Sequence, residues 1–299
     1  MNARAALSGI ALLLTSALAP PAFANASRPE RQLREATERV IDKAREVVAI
    51  SSYGFDDTGD CFLGAWLRAG KSASMSQVFE GGREYLLIGG GTDETRDLDI
   101  KILDDEGKVV AADTASDATP IVRFTPASRG KYTIRLEMHA TNLRHGDFGV
   151  LAILRDGAYV VPMRDFESSF GGLFESIRFA ASTIDSANLY FQDAEGEWCL
   201  YGRLLAKSQR VTWSGLDFDE DQRYLVLVSA DSAARDVDVV VTDRSGREVA
   251  SDTDPDARPV AMFQPRATET HRVQLRLEDS DGLALVAMVV LRADADLRR

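Results

Sequence analysis

Slid along itself by 139 positions, the 299-residue chain lies over itself without a gap from Tyr85–Leu136 to Tyr224–Leu275, with 17 of 52 positions identical. The densest stretch is RDLDIKILDDEGKVVAADTASDATPIVRFTP at 96–126, which meets RDVDVVVTDRSGREVASDTDPDARPVAMFQP at 235–265. With small shifts the match extends outward. Cys61 meets Cys199, Gly64 meets Gly202, and Leu154-Arg155 meets Leu291-Arg292. Chance likeness between two strands does not produce such an ordered series, so the chain reads as a duplication. A unit of about 140 residues exceeds the usual solenoid period, so each copy is expected to fold as a module of its own.

The two copies carry the same pattern. Leu98, Ile100 and Ile102 alternate with Asp97, Asp99 and Lys101, and Val237, Val239 and Val241 alternate with Asp236 and Asp238. Period two marks strands with one buried face. Asp104–Gly107 and Asp243–Gly246 have tight-turn composition. Short apolar runs recur at Phe62–Leu67, Met75–Phe79, Glu84–Ile88, Lys108–Ala112, Pro120–Thr125, Lys131–Met138 and Phe148–Leu154. Seven or eight short strands at this spacing predict an antiparallel sandwich. An amphipathic helix precedes each copy. The first follows a capping box at Ser27–Glu30, with Leu33, Ala36, Val40, Ile41, Ala44, Val47 and Val48 on one face and the pairs Glu30/Arg34 and Glu35/Arg39 on the wet face. The second covers about 165–184, with Phe166, Phe170, Leu173, Phe174, Ile177, Ala181 and Ile184 in phase and Gly171-Gly172 as a weak point. Each helix is expected to cover an edge or face of its sandwich. The expected fold is mainly β: two tandem jelly-roll-like antiparallel sandwiches, each led by a helix. The expected boundaries are 27–60 for the first helix and linker, 61–155 for sandwich 1, 156–198 for a helical connector and 199–295 for sandwich 2.

Residues 1–26 read as an address. Arg4 precedes an apolar run from Ala5 to Leu18, and Ala22-Phe23-Ala24 and Ala24-Asn25-Ala26 both fit a small-residue cleavage site. This is the secretory pattern, and the run is shorter than the roughly 20 residues that cross a bilayer. The expected product is exported to the periplasm or beyond, with no transmembrane segment in the mature chain. Net charge is −12, which disfavours nucleic acid as a partner.

Residues 84–136 and 223–275 carry a further pattern. A Gly-x-x-Tyr strand (Gly82–Tyr85) is followed by Asp-x-Asp (Asp97 and Asp99; Asp236 and Asp238), a glycine turn (Gly107, Gly246) and Val-Ala-x-Asp (Val110–Asp113; Val249–Asp252), closing with Gly130-Lys131-Tyr132. This resembles the bacterial pre-peptidase C-terminal domain. The likeness covers about 61–155 and 199–292. It implies a small jelly-roll-like sandwich on an exported, non-catalytic protein, with collagen or calcium as ligands of some related modules. The second copy departs from the pattern, with Glu269-Thr270-His271 in place of Gly-Lys-Tyr.

Catalytic signatures are missing from the sequence. There is no G-x-S-x-G or H-E-x-x-H, and Gly89-Gly90-Gly91 is not followed by Lys-Ser/Thr. His139, His145 and His271 stand far from any nucleophile motif, and His271 takes the place of Tyr132 as a sheet residue. Asp97, Asp99, Asp113 and Asp117, with their counterparts Asp236, Asp238, Asp252 and Asp256, are the calcium candidates, since that ion wants six to eight oxygen ligands. The same aspartates also suit turns, where the carboxylate bonds its own backbone. Cys61 and Cys199 either form a bridge in an oxidising compartment or lie separately in the first strand of each copy. Trp66, Trp198 and Trp213, with Tyr190-Phe191 and Tyr53–Phe55, supply either core or a sugar- or peptide-binding surface. Together these features predict an exported, non-catalytic binding or accessory protein of the cell envelope or extracellular space, with protein or polysaccharide as partner and calcium as the one cofactor to consider. The alternatives are an envelope assembly factor and a divergent secreted hydrolase.

Overall fold

A computed structural model describes residues 27–184, 189–194 and 196–294; the expected leader at 1–26 lies outside them. The chain is mainly β and antiparallel throughout. The first half runs α1 (Arg28–Ala49), β1 (Tyr53–Phe55), β2 (Asp60–Leu67), β3 (Lys71–Phe79), β4 (Tyr85–Gly91), β5 (Thr95–Leu103), β6 (Val109–Asp113), β7 (Ile121–Phe124), β8 (Gly130–Thr141) and β9 (Asp147–Asp156). The second half follows the same order: α2 (Met163–Thr183), β10 (Leu189–Phe191), β11 (Leu200–Leu205), β12 (Arg210–Phe218), β13 (Gln222–Ala230), β14 (Ala234–Thr242), β15 (Glu248–Asp252), β16 (Val260–Phe263), β17 (Glu269–Ser280) and β18 (Ala284–Asp294).

In each half a four-stranded sheet, β3-β8-β5-β6 or β12-β17-β14-β15, packs beneath strands of a larger one. That larger sheet is common to both. Its order is β16-β13-β18-β11-β2-β9-β4-β7, with β1 on β9 and β10 on β18, ten strands in all. The expectation of two separate sandwiches is corrected here. β2 pairs with β11, so one sheet crosses the boundary and one core serves both halves. The physical reason lies in the strands. β2, β4, β9, β11 and β13 are buried along nearly their whole length, which requires cover on both faces. The small sheets cover one face. α1 on β4 and β9, and α2 on β13 and β18, cover the other.

Ser27 caps α1 through its Oγ, which accepts from the Glu30 amide at 3.4 Å. The wet-face pairs on α1 differ from expectation. Glu30 is fully buried, held by Arg34 at 3.0 Å and by Arg178 of α2 at 2.5 Å, and Arg34 also lies over the Phe174 ring. Glu30 therefore ties the two helices together rather than decorating one. Arg39 leaves Glu35 and donates to the carbonyls of Gly91 and Thr92 at 2.8 Å. Gly172, a weak point by propensity, is needed for packing, since a Cβ there would stand 2.3 Å from Ser229 Oγ.

Candidate functional site

The junction is built about a local twofold. Leu63 of β2 faces Tyr201 of β11, and these are corresponding positions of the two halves. On either side a large residue opposes a glycine: Phe62 faces Gly202 and Leu200 faces Gly64. A Cβ on Gly202 would lie 2.8 Å from Phe62, and one on Gly64 2.9 Å from Leu200. Asp60, buried in the first half, accepts from Arg203 at 3.4 Å and from Trp213 Nε1 at 3.2 Å in the second. Burial raises its carboxyl above the ordinary value, and Arg203 opposes that rise. These contacts fix one half against the other, so the surfaces along the seam are preformed.

One such surface is a groove of about 340 Å³ where the start of α1 meets the ends of β2, β10 and β18. Trp66 and Arg68 come from the end of β2, Tyr190 from β10, Arg292 from β18, Arg28 from the first turn of α1 and His145 from the loop before β9. The Arg68 guanidinium lies 5.9 Å over the Trp66 ring and that of Arg292 5.6 Å over Tyr190. Arg292 also pairs with Asp193 at 3.2 Å. Arg28, Arg68 and His145 have no carboxylate within ion-pair distance among the described residues. The groove continues into a hollow of about 220 Å³ that shares Trp66, Arg68 and Asp193 and adds Lys71. A chain of net charge −12 thus collects cations on two aromatic rings at its seam, an arrangement suited to holding an anion.

The groove belongs to one side of the twofold only. At the positions matching Trp66, Arg68 and Tyr190 stand Leu204, Ala206 and Gly54. Arg155, the counterpart of Arg292, is spent on Asp56 at 3.3 Å and on Asp57. The residue corresponding to Asp56 is Gln192, which leaves Arg292 with Asp193 alone among the described carboxylates. Sequence reasoning aligned Arg155 with Arg292 but missed this. The available signal was the exchange of Asp56-Asp57 for Gln192-Asp193 after matching strands.

A second cleft, about 310 Å³, lies between β3 and β12 beneath the seam and is lined by Met75, Glu197, Trp198, Tyr201 and Trp213 among others. Desolvation pushes the Glu197 carboxyl up to about 7, although it accepts from the Asp217 amide.

Among the described residues no three of the eight calcium candidates stand together at metal-ligand spacing. Asp113 accepts from the amides of Ala115 and Ile121, and Asp252 does the same for Asp254 and Val260. Asp117 and Asp256 accept from the amides two residues on, of Thr119 and Arg258. All four carboxylates act as turn acceptors. Asp97 and Asp99 lie on β5, and Asp236 and Asp238 on β14. Glu278 and the neighbouring acids help burial raise the Asp236 and Asp238 carboxyls. Among the described residues, the one group with metal-ligand spacing is Asp99, Glu137 and His139. His139 Nε2 stands 3.0 Å from Asp99, and Lys101 already places its ammonium on Glu137, 4.0 Å from Asp99. That ammonium offsets one of the group's two carboxylates.

Cys61 and Cys199 are free and buried. Each precedes the axial pair Leu63/Tyr201 by two residues, so antiparallel pairing carries them to opposite sides of the axis. Four residues of strand, about 13 Å, separate them, beyond the Cα spacing of a disulfide. His271 is a sheet residue packed on Phe218 and Phe263. Trp198, Trp213, Tyr53, Phe55 and Phe191 are core, whereas Trp66 is half-buried and Tyr190 exposed.

No family model and no curated protein matches the chain. Among solved structures, it is similar to the periplasmic inhibitor of g-type lysozyme from Aeromonas hydrophila at 12% identity, covering 33% of this chain and 85% of that one with a TM-score of 0.25. It is similar to the exported protein XepA of PBSX at 13% identity, covering 78% and 86% with a TM-score of 0.24. Scores of this size leave the site to be read from its own residues. No helix among the described residues is long and apolar enough to cross a membrane.

Proposed function

We propose that the chain is an exported, non-catalytic binding protein of the cell envelope or extracellular space, and that the groove at the seam is its binding surface. Export rests on the leader pattern of residues 1–26. The jelly-roll-like, pre-peptidase C-terminal-like character of each half belongs to the same reading and rests on the motifs from Gly82 to Tyr132. The observation that carries the binding assignment is the gathering of Arg28, Arg68, His145 and Arg292 around Trp66 and Tyr190 in an otherwise acidic protein. A preformed concave surface with a few convergent polar groups on an apolar body is the ordinary form of a ligand site. The second cleft offers one raised carboxyl, Glu197, with Trp198, Tyr201 and Trp213 buried around it. A hydrolase needs an acid and a base or nucleophile in mutual reach, so the cleft favours a structural role for Glu197.

The test presents the chain from residue 27 onward to protein and glycan panels prepared from bacterial envelopes. Retained partners should be lost in the Arg28→Ala/Arg68→Ala double variant and weakened by salt. Partners indifferent to both would overturn the assignment of the groove, and turnover of a peptide or glycan would overturn the non-catalytic reading.

A further inference from the structure

We infer that the groove recognises side-chain carboxylates on an acidic segment of a partner protein. This deepens the binding assignment above and rests on it. Charge complementarity carries the inference. Arg28, Arg68 and His145 converge without a carboxylate of their own among the described residues. Against them stands Asp193, which is engaged by Arg292. Among the described residues the groove therefore holds an excess of donors over acceptors.

The aromatic rings decide between a peptide and a sugar. A pyranose binds by laying its apolar face on an open ring. Here the Trp66 ring packs on the core and carries the Arg68 guanidinium, and the Tyr190 ring carries that of Arg292. A guanidinium resting on a ring has lost part of its hydration and freedom but keeps its forked N–H edges, which match a carboxylate. The rings thus act as supports for the arginines rather than as stacking platforms. Pro29, Leu189 and Phe191 are buried beneath these side chains and form the rigid floor on which they are held.

The chain's overall negative charge does not forbid an acidic partner. At physiological salt the screening length is about 8 Å, so acids elsewhere on the surface are largely muted while contacts within the groove persist. The overall charge does limit long-range attraction, so association should be unhurried and the gain should appear mainly as slower dissociation.

The test titrates the chain from residue 27 onward with three fluorescent probes: a Glu-Gly repeat peptide, its Lys-Gly counterpart, and an oligogalacturonate of equal charge. The Glu-Gly peptide is expected to bind and the Lys-Gly peptide not to. The Arg28→Ala/Arg68→Ala variant should weaken Glu-Gly binding about tenfold or more. Arg68→Lys, which keeps the charge and loses the fork, should fall between. Arg28 and Arg68 are exposed, so these variants should melt with the parent. Tighter binding of oligogalacturonate than of Glu-Gly would overturn the choice of a protein partner. Absence of Glu-Gly binding, or binding indifferent to the variants, would overturn carboxylate recognition. Should an envelope partner still depend on Arg28 and Arg68 in that case, the broader binding assignment would stand and this inference alone would fall.

Discussion

Leu63 and Tyr201 are the same position of two halves, and they face each other across β2 and β11. A pair of corresponding residues in register defines a twofold axis, and the seam's chemistry is organised by it. Phe62 and Leu200 fill the space left by Gly202 and Gly64, and the cysteines fall on opposite sides.

Gly202→Val should destabilise the protein by about 1–3 kcal/mol, because the new side chain has nowhere to go but into Phe62. Combining it with Phe62→Ala should recover part of that loss relative to the sum of the single changes. Urea denaturation of the four species measures the coupling. Simple additivity would mean that the glycine is not there to receive the ring.

Native protein should show almost no thiol reactivity and two thiols once unfolded, without added reductant. Burial pushes both cysteine thiols well above their ordinary value, and the thiolate is the reactive form. A mass gain of two alkyl groups in denaturant checks this. Recovery of a Cys61–Cys199 bridge would contradict the register.

A buried carboxylate has changed strands between the halves. In the first, Asp147 accepts from the Phe148 amide and from Thr92, Thr95 and Thr141. In the second, Asp231 holds the position of Thr92 and reaches the Leu285 amide at 2.7 Å, while Ala284 replaces Asp147. Asp147→Ala should cost about 2–4 kcal/mol, since it leaves buried donors unmet. Adding Thr92→Asp should restore a part, as the second half already demonstrates the swap. Thermal melts of the single and double variants provide the comparison.

Stability should decline as pH rises from about 5 to 8. Glu197 has its carboxyl raised to about 7, so the folded protein holds that proton above the pH at which the unfolded chain releases it. The contribution is fully present below the unfolded value and is lost as pH climbs through the folded one. Glu197→Gln should flatten the decline by about 1 kcal/mol once solvent screening is allowed for. An unchanged pH profile would show that Glu197 is ordinary.

Asp113→Ala and Asp252→Ala should each cost about 1–2 kcal/mol, because each removes two acceptors that bridge a turn to the next strand. The cost should be the same with calcium and with EDTA. Calcium-dependent stabilisation of the parent that disappears in these variants would restore the ion as their purpose.

Most strands and the positions of the two helical segments were legible because their patterns are local, whereas β1 and β10 lie within the stretches expected to be a linker and a helical connector. Alternation marked β5 and β14, and apolar runs marked β4 and β9. The union of the halves was not legible. Phe148–Leu154 reads as a buried strand whether its neighbour belongs to the same copy or the other, and only register reveals that β2 continues into β11. Glu30 looked like a surface ion pair because nothing at i,i+4 discloses an Arg178 arriving from another helix. The groove was invisible for a similar reason. Arg28, Arg68, His145 and Arg292 are scattered along the sequence and acquire meaning only where four elements end together. Asp113, Asp117, Asp252 and Asp256 were conspicuous because they repeat, and the turns they close repeat with them.

An antiparallel strand pair about a twofold is the contact that two identical molecules make when they form a symmetric dimer. Such a dimer carries every surface twice. Covalent linkage releases each side of the axis to change alone, which is how Trp66, Arg68 and Tyr190 come to stand opposite Leu204, Ala206 and Gly54. The groove therefore exists on one side of the axis only, so a partner bound as proposed should associate with a stoichiometry of one to one.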